Sequence, residues 1–326
     1  MYMKEKNCLI FGGSGQIGRN LIRKLTQNNY RVTVVTRNIH QKSYIIKTQA
    51  NPGYINIIES NIFDENKLRM AFSGIDICIN LVGILFEQKK VNTFKNIHSY
   101  FPLLIAKLCK EFHVKQFIHL SALGINDAKD SVYAESKLEG EENIFNNFPL
   151  ATILRPSVVY SVDDNFTTNL MTLLNRLPFF PIYYSGNTKF MPIHCSDLTD
   201  TIYHVISKGT SSKIIECVGP EILSFKDILE KLLVLINKKR LLIPFPLSLA
   251  NLSASFFQLF PKPLLTKDQL RLLKYNNVNS GKYKTNADIG VPANRFFSTE
   301  VKKYCYMWRD GGQFSTEKFQ NQNKND

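Results

Sequence analysis

A tyrosine four residues ahead of a lysine, in "YAESK" from Tyr133 to Lys137, can share one face of a helix and bring a phenol and an ammonium together. A free tyrosine titrates near pH ~10; a neighbouring cation favours its phenolate and brings it towards use as an acid or base. Ser121, in "HLSALG" at the end of the preceding apolar run, is placed to hold a substrate oxygen. Ser121, Tyr133 and Lys137 are the parts of a carbonyl–alcohol redox site, whereas the same five letters on a surface helix do nothing. What precedes them decides between the two.

Upstream, "LIFGGSGQIGRNLIRKL" spaces Gly12, Gly15 and Gly18 three apart, directly after an apolar run and at the opening of a helix with Ile17, Leu21, Ile22 and Leu25 on one side. Gly12 permits a tight turn, Gly15 lets backbone approach a pyrophosphate, and Gly18 lets helix and strand pack closely, with the helix N-terminus facing the phosphates. Ser14, Gln16 and Ile17 complete this cradle. The second apolar run ends "VVTRN", with Thr36 and Arg37 where an NAD-binding chain carries a carboxylate, so NADPH is expected over NADH. Asp64 is expected at the adenine, and Leu81, Val82 and Gly83 of "NLVG" over the adenosine side. Pro156, at the end of "ATILRP", is counted with the cofactor contacts.

The elements that must hold these residues follow from periodicity. Apolar runs at 7–11, 31–36, 54–59, 76–83, 115–122 and 151–156 suit strands buried on both faces, and helical segments fall at 16–28, 64–73, 92–112 and 133–147. Strand and helix alternate, which predicts an α/β, Rossmann-type doubly wound parallel sheet. Beyond Pro156 turn-rich stretches separate helices at 164–176, 196–208 and 224–238, the last opened by Ser224 with Asp227 as a capping pair. The expected division is a nucleotide-binding domain over 1–156, its sheet completed by later strands, a smaller substrate or partner lobe over 157–314, and a disordered tail over 315–326.

The charge of +14 favours anionic partners, although no run of five basic residues marks a patch and an even, lysine-rich surface accounts for it equally. The six cysteines stand singly in apolar runs without CxxC spacing, which predicts buried thiols in a reducing compartment and no metal site. No apolar stretch reaches the roughly 18 residues a spanning helix needs. The start runs at once into a strand, leaving no room for a presequence, so a cytoplasmic location is expected.

With these residues in place, the chain resembles an extended or atypical short-chain dehydrogenase/reductase. Within that superfamily it resembles the NADPH-binding accessory subunit of respiratory complex I (the alpha subcomplex subunit 9 family) and its bacterial relatives. The resemblance runs over about residues 7–314 and rests on "FGGSGQIGRNL", "NLVGILFE", "HLSALG", "YAESKLEGE", "FPLATILRPSVVY", "VGP", "LIPFPLSLA", "LLTKDQLRLL" and "YMWRDGGQF". It implies a tightly held NADPH, complex I subunits as partners near the quinone-binding arm, attachment at the cytoplasmic face of the inner membrane, and a cofactor that is mainly structural. It carries the cradle onto Gly12, Gly15 and Gly18, the 2′-phosphate contact onto Arg37 and the triad onto Ser121, Tyr133 and Lys137. His98 stands where catalytic relatives have an asparagine, and Tyr160-Ser161 where relatives often have an aromatic residue and glycine.

The proline-punctuated stretch 241–263, with a helix expected between Leu247 and Phe260, is the candidate docking region for a membrane surface or partner; a second-lobe core helix is the plain alternative. Two functional readings follow: an NADPH-loaded complex I accessory protein, or a free reductase, epimerase or dehydratase acting on a sugar nucleotide or other carbonyl compound. A nucleic-acid contact has only the net charge in its favour, and none is expected.

Overall fold

β1 (Lys6–Phe11) sends Cys8 and Ile10 into one apolar layer and Leu9 and Phe11 into another, which is why its apolar run is unbroken. The computed structural model describes residues 6–88, 91–210, 212–250, 254, 263 and 265–314. After β1 come α1 (Gln16–Gln27), β2 (Tyr30–Thr36), α2 (Ile39–Lys47), β3 (Ile55–Glu59), α3 (Glu65–Phe72) and β4 (Ile77–Asn80). A π-helical turn (Lys95–Tyr100) then leads into α4 (Phe101–Glu111), β5 (Gln116–Leu120), α5 (Val132–Asn147) and β6 (Thr152–Pro156).

Two strands from the second half, β11 (Ile214–Cys217) and β14 (Lys284–Thr285), finish the sheet. Its eight strands run in the order β3-β2-β1-β4-β5-β6-β11-β14, with every neighbouring pair parallel. The order reverses between β1 and β4, and the crevice beyond their carboxyl ends is where such sheets bind ligands. On one face lie α1, α2 and α7 (Cys195–Lys208), with Leu21, Ile22, Ile46, Leu198 and Ile202 buried; on the other lie α3, α4 and the end of α5.

The remaining elements build a second apolar cluster around Tyr160, Leu174, Ile228, Leu232 and Phe297. They comprise β7 (Val159–Tyr160), α6 (Thr167–Arg176), β8 (Phe179–Ile182), β9 (Lys189–Phe190), β10 (Ile193–His194), β12 (Leu223–Ser224), α8 (Phe225–Leu235), β13 (Leu241–Pro244) and α10 (Phe297–Lys302), while α9 (Lys267–Leu272) sends Leu270 and Leu272 into two smaller clusters. Ser224 and Asp227 form the expected reciprocal capping box of α8. In 241–263, β13 pairs with β8 and residues 247–250 are helical. Phe256, Phe257 and Phe260 of the expected helix, and the tail 315–326, lie outside the described residues.

Two expectations are corrected in detail. α2, in "IHQKSYIIK", was not foreseen; only Ile46 of it is buried, too few apolar positions to give a helical stripe. The single helix expected over 92–112 opens instead with a π-helical turn. Pro102 supplies no N–H to the His98 carbonyl and its ring crowds that oxygen, so the preceding turn widens, with the Phe101 N–H bonding to Asn96 O five residues back. No helix among the described residues is long and apolar enough to cross a membrane.

Candidate functional site

The turn from β1 to α1 is built as the glycine spacing requires. Gly12 has φ +84, and a Cβ there would sit 3.1 Å from the carbonyl carbon of Leu81 at the end of β4. A Cβ at Gly18 would overlap the Gly12 carbonyl oxygen, so that glycine sets how closely helix and strand pack. Gly15 is the N-cap of α1, is exposed, and a Cβ on it would meet only Gly12 O, at 3.3 Å. Its outer side is open at the helix N-terminus. The narrow turn, the open N-terminus and the position at the strand-order reversal fit a dinucleotide. Gly13 escaped the sequence reading: a Cβ there would lie 2.6 Å from Val34 Cγ1, so β2 demands the fourth glycine.

The loop after β4 brings Gly83 to Lys137 and His98; a Cβ on it would lie 3.4 Å from Lys137 Nζ and 3.7 Å from His98 Nε2. The loop is pinned at both ends. Asn80 Oδ1 accepts from Val82 N at 3.1 Å, and His98 Nε2 accepts from Ile84 N at 3.0 Å. Because Nε2 accepts, His98 carries its proton on Nδ1 and donates to Ser136 Oγ (3.1 Å), which donates in turn to the Tyr133 carbonyl (2.7 Å). Burial, with Lys137 and His119 nearby, holds the His98 pKa down to about 2, so the ring is neutral. Asn80 also donates to His119 Nδ1 at 3.1 Å; burial keeps that ring neutral too, with its pKa well below the usual value.

Ser121 follows β5, its N–H bonded to Leu154 O of β6 at 2.8 Å, and Leu123 N bonds to Pro156 O at 2.9 Å. Its hydroxyl is buried and, among the described residues, has no hydrogen-bond partner. A buried hydroxyl without a partner is costly, and a bound oxygen would relieve that cost. Lys137, 3% exposed, donates to Leu120 O at 3.2 Å, which fixes its ammonium one residue before Ser121. Burial lowers its pKa to about 8, opposed in part by Glu141. Tyr133 is half-buried between rings, 5.2 Å from His98 and 5.7 Å from Phe94 by centroid.

Lys137, expected to favour the Tyr133 phenolate, does not set its titration. Instead burial, and then the carboxylate of Asp268, push the tyrosine up to about 12. The phenol is held protonated, a hydrogen-bond donor. Asp268 was invisible to pattern reading because it lies 135 residues from Tyr133 yet accepts from its N–H at 3.1 Å.

The other expected contacts spread along the crevice. Ser14 and Ile17 are partly exposed at the cradle, and Gln16 donates to Ser161 Oγ at 2.8 Å, linking the cradle to the second lobe. Arg37 is exposed beyond β2 and reaches Asn92 Oδ1 at 3.4 Å. Asp64 caps α3 through Lys67 N at 3.2 Å. The carboxylate nearest the end of β2 comes from the next strand: Glu59 pairs in register with Thr36 and accepts from Ile39 N at 3.0 Å. Gly12 therefore meets Leu81, Gly83 meets Lys137, and Lys137 of the Tyr133 helix reaches Leu120 beside Ser121. No group of metal-ligating side chains occurs among the described residues.

Comparison with known proteins agrees with this architecture. The fold superimposes on the Bordetella bronchiseptica enzyme WbmG, solved in complex with NAD, with a TM-score of 0.72 at 14% identity over 94% of each chain. In sequence the chain is 28% identical over 225 residues to NADH dehydrogenase [ubiquinone] 1 alpha subcomplex subunit 9 of Dictyostelium discoideum, covering 69% of this chain and 62% of that protein. It is 23% identical over 315 residues to the subunit of the same name from Arabidopsis thaliana, covering 93% and 78%. The relatives expected from the motifs along residues 7–314 are thus among those found. The model of the NAD dependent epimerase/dehydratase family matches residues 8–217, well over half the chain and the sheet from β1 to β11, and the chain belongs to that family.

Proposed function

We propose that this protein is an NADPH-loaded accessory or assembly protein of respiratory complex I, in which the nucleotide is chiefly structural. The observation that carries the reading is the likeness to proteins named as complex I alpha subcomplex subunit 9, at 28% identity over 225 residues and 23% over 315; Tyr133, held as a donor by burial and Asp268, and Lys137, bonded to the Leu120 carbonyl, fit the ordering of a bound nucleotide. A phenol kept as a donor can hydrogen-bond a bound ligand or give its proton to an oxygen that receives a hydride, so the donor state is shared by both readings. His98, standing in a catalytic asparagine's position, ties Gly83's loop to α5, which fits a site built for retention.

NADPH would contact Gly12, Ser14, Gly15, Gln16, Ile17 and Gly18 through its pyrophosphate, Arg37 through its 2′-phosphate, and Asp64, Leu81, Val82 and Gly83 around its adenosine. Ser121, Tyr133, Lys137 and Pro156 would surround its nicotinamide. Arg37 is exposed, with Asn92 as its hydrogen-bond partner among the described residues, and β2 ends without a carboxylate of its own, which supports the phosphorylated cofactor. When bound, the nicotinamide supplies a hydride donor; Ser121 would orient an oxygen and Tyr133 would donate to it. We assign residues 1–156 to the nucleotide and 157–314 to a lobe for substrate or partner; residues 315–326 lie outside the described residues. The partner reading rests on relatives named as complex I subunits; with it goes our proposal of attachment at the cytoplasmic face of the inner membrane, with 241–263 as the docking stretch. Leu241, Ile243, Leu247 and Leu249 are exposed there, as a docking surface requires.

The test is gentle solubilisation of source membranes, a native gel, and mass spectrometry of the large respiratory assembly. Migration with that assembly is the expected result; a chain that runs alone overturns the partner. One observation favours a second reading, an active reductase, epimerase or dehydratase: Ser121 presents a buried, unpartnered hydroxyl where a substrate oxygen would sit. NADPH consumption on presentation of a carbonyl substrate would move the assignment to that reading.

A further inference from the structure

The N-terminus of α5, which carries Tyr133, is closed by a residue of the second lobe. Asp268, in α9, accepts from Ser131 Oγ (2.8 Å) and Tyr133 N (3.1 Å) through Oδ2, and from Val132 N (2.9 Å) through Oδ1. Ser131 is itself the N-cap of α5 and accepts from Ala134 N at 3.2 Å, so the caps are stacked: serine on the helix, aspartate on the serine and the first two helical amides. α9 is built to present the aspartate. Thr266 and Gln269 form its own capping box, with Asp268 between them in the first turn. Leu272 and Tyr275 beyond it pack against the cluster of Ile125, Ala128 and Ala134 at the base of the same helix turn.

From this geometry we infer that Asp268 is a positioning residue for Tyr133, through which the second lobe sets the place and the protonation of the phenol. Its meaning rests on Tyr133 facing the nicotinamide, as proposed above. Its chemistry does not, because the clamp is complete in the protein alone. A carboxylate completing the α5 cap fixes the tyrosine backbone, and its negative charge opposes a second negative charge on the phenol oxygen of the same turn. Charged or titratable groups around this helix start are Lys137 and Glu141 on α5 and His98 from the π-helical turn. Glu87 comes from the loop after β4, Asp130 from the loop before α5, and Lys267, Asp268, Arg271 and Lys274 from α9 and its end. Arg271 stands 3.7 Å from Asp268 and is half exposed, so it offsets the carboxylate only in part.

Tyrosine ring-carbon labelling reads this directly by NMR in the nucleotide-free full chain, with the Tyr133 resonance assigned by its loss in Tyr133→Phe. At about pH 10.5, Asp268→Asn should show roughly three- to tenfold more Tyr133 phenolate than the wild type, a shift of about half to one pH unit in midpoint. Ser131→Ala breaks the cap but keeps the carboxylate, so it should lose stability and leave the phenolate fraction unchanged. Thr266→Ala removes the buried N-cap hydroxyl of α9, with its bond from Gln269 N, and loosens the helix at its start; it should fall between wild type and Asp268→Asn, and it carries the test should the latter not fold. Wild-type phenolate fractions in the folded Asp268→Asn and Thr266→Ala proteins overturn the inference. A phenolate rise as large in Ser131→Ala reduces Asp268 to an ordinary cap and overturns it as well. NADPH binding, measured separately, leaves these readouts untouched, so failure of the cofactor reading and failure of the clamp are distinguishable.

Discussion

His98 and Ile84 are joined by a hydrogen bond of 3.0 Å in which the imidazole Nε2 accepts the backbone N–H, and that bond fixes the histidine as a neutral ring. Protonation would place a second donor against the amide and a cation beside Lys137. The same holds at His119, fully buried and bonded through Nδ1 to Asn80. Both rings are therefore depressed in the folded protein relative to the unfolded chain.

A group with a depressed folded pKa contributes its stability above the unfolded pKa and loses it as pH falls. The unfolded rings take up protons below about pH 6.5 and the folded ones do not, which costs about 1.4 kcal/mol per pH unit for each histidine. Unfolding midpoints in urea should therefore fall steadily from pH 7 to pH 5, well above the carboxylate range. His98→Gln removes one of three depressed rings, burial holding His194 down as well, and should flatten that slope in part. An unchanged slope in the variant would show that His98 titrates freely in the folded state.

The cradle glycines separate folding from binding. Gly18→Ala drives a methyl into the Gly12 carbonyl and should cost about 1–3 kcal/mol of stability, with nucleotide binding lost only as the turn deforms. Gly15→Asp has room at its Cβ apart from Gly12 O, so it should fold with a smaller loss, yet its carboxylate at the helix N-terminus should abolish nucleotide binding. Tyr133→Phe should leave both nearly intact. Thermal unfolding and nucleotide fluorescence on the three proteins check this, and equal loss of fold in Gly15→Asp and Tyr133→Phe would contradict it.

Arg37 sets the cofactor choice if its guanidinium meets a 2′-phosphate. Charge-assisted hydrogen bonds contribute about 1.5–3 kcal/mol, so Arg37→Ala should weaken NADPH by roughly ten- to a hundredfold while NADH changes little. Titration of both nucleotides against both proteins gives the answer; parallel losses for the two would mean that Arg37 does not read the phosphate.

What could be read from the sequence was what is local. The unbroken apolar run of β1 is visible because both faces of one strand are covered, and the Ser224–Asp227 box because it closes within one turn. Gly12, Gly15 and Gly18 carry their reason within seven residues. β14 and β7 are two-residue pairings with no period to detect, and they exist only because the sheet edge and β10 are already there. The titration of Tyr133 was misread for the same cause: Lys137 is four residues away and Asp268 is 135, and the distant group, with burial, decides the direction. The π-helical turn was in principle legible, since Pro102 announces the missing N–H.

Beneath Lys137, one turn along α5, Glu141 pairs with Arg155 of β6 through two bonds of 2.9 and 2.5 Å, with both side chains about 5% exposed or less. The Tyr283 ring lies 5.0 Å from the guanidinium, and Arg155 stands in register beside Glu216, whose carboxylate accepts from Ser280. A buried pair of this kind adds little net stability over apolar residues of the same size, but removing one partner leaves an uncompensated charge and costs about 3–5 kcal/mol. Glu141→Gln should therefore be strongly destabilised in urea unfolding. Glu141→Leu combined with Arg155→Met should recover much of that loss. Because Glu141 is also the anion that sustains the Lys137 ammonium, the folded fraction of Glu141→Gln should carry a lysine that titrates lower than about 8. A Glu141→Gln protein within half a kcal/mol of wild type would mean that water reaches Arg155 and that the pair is not sealed beneath the site.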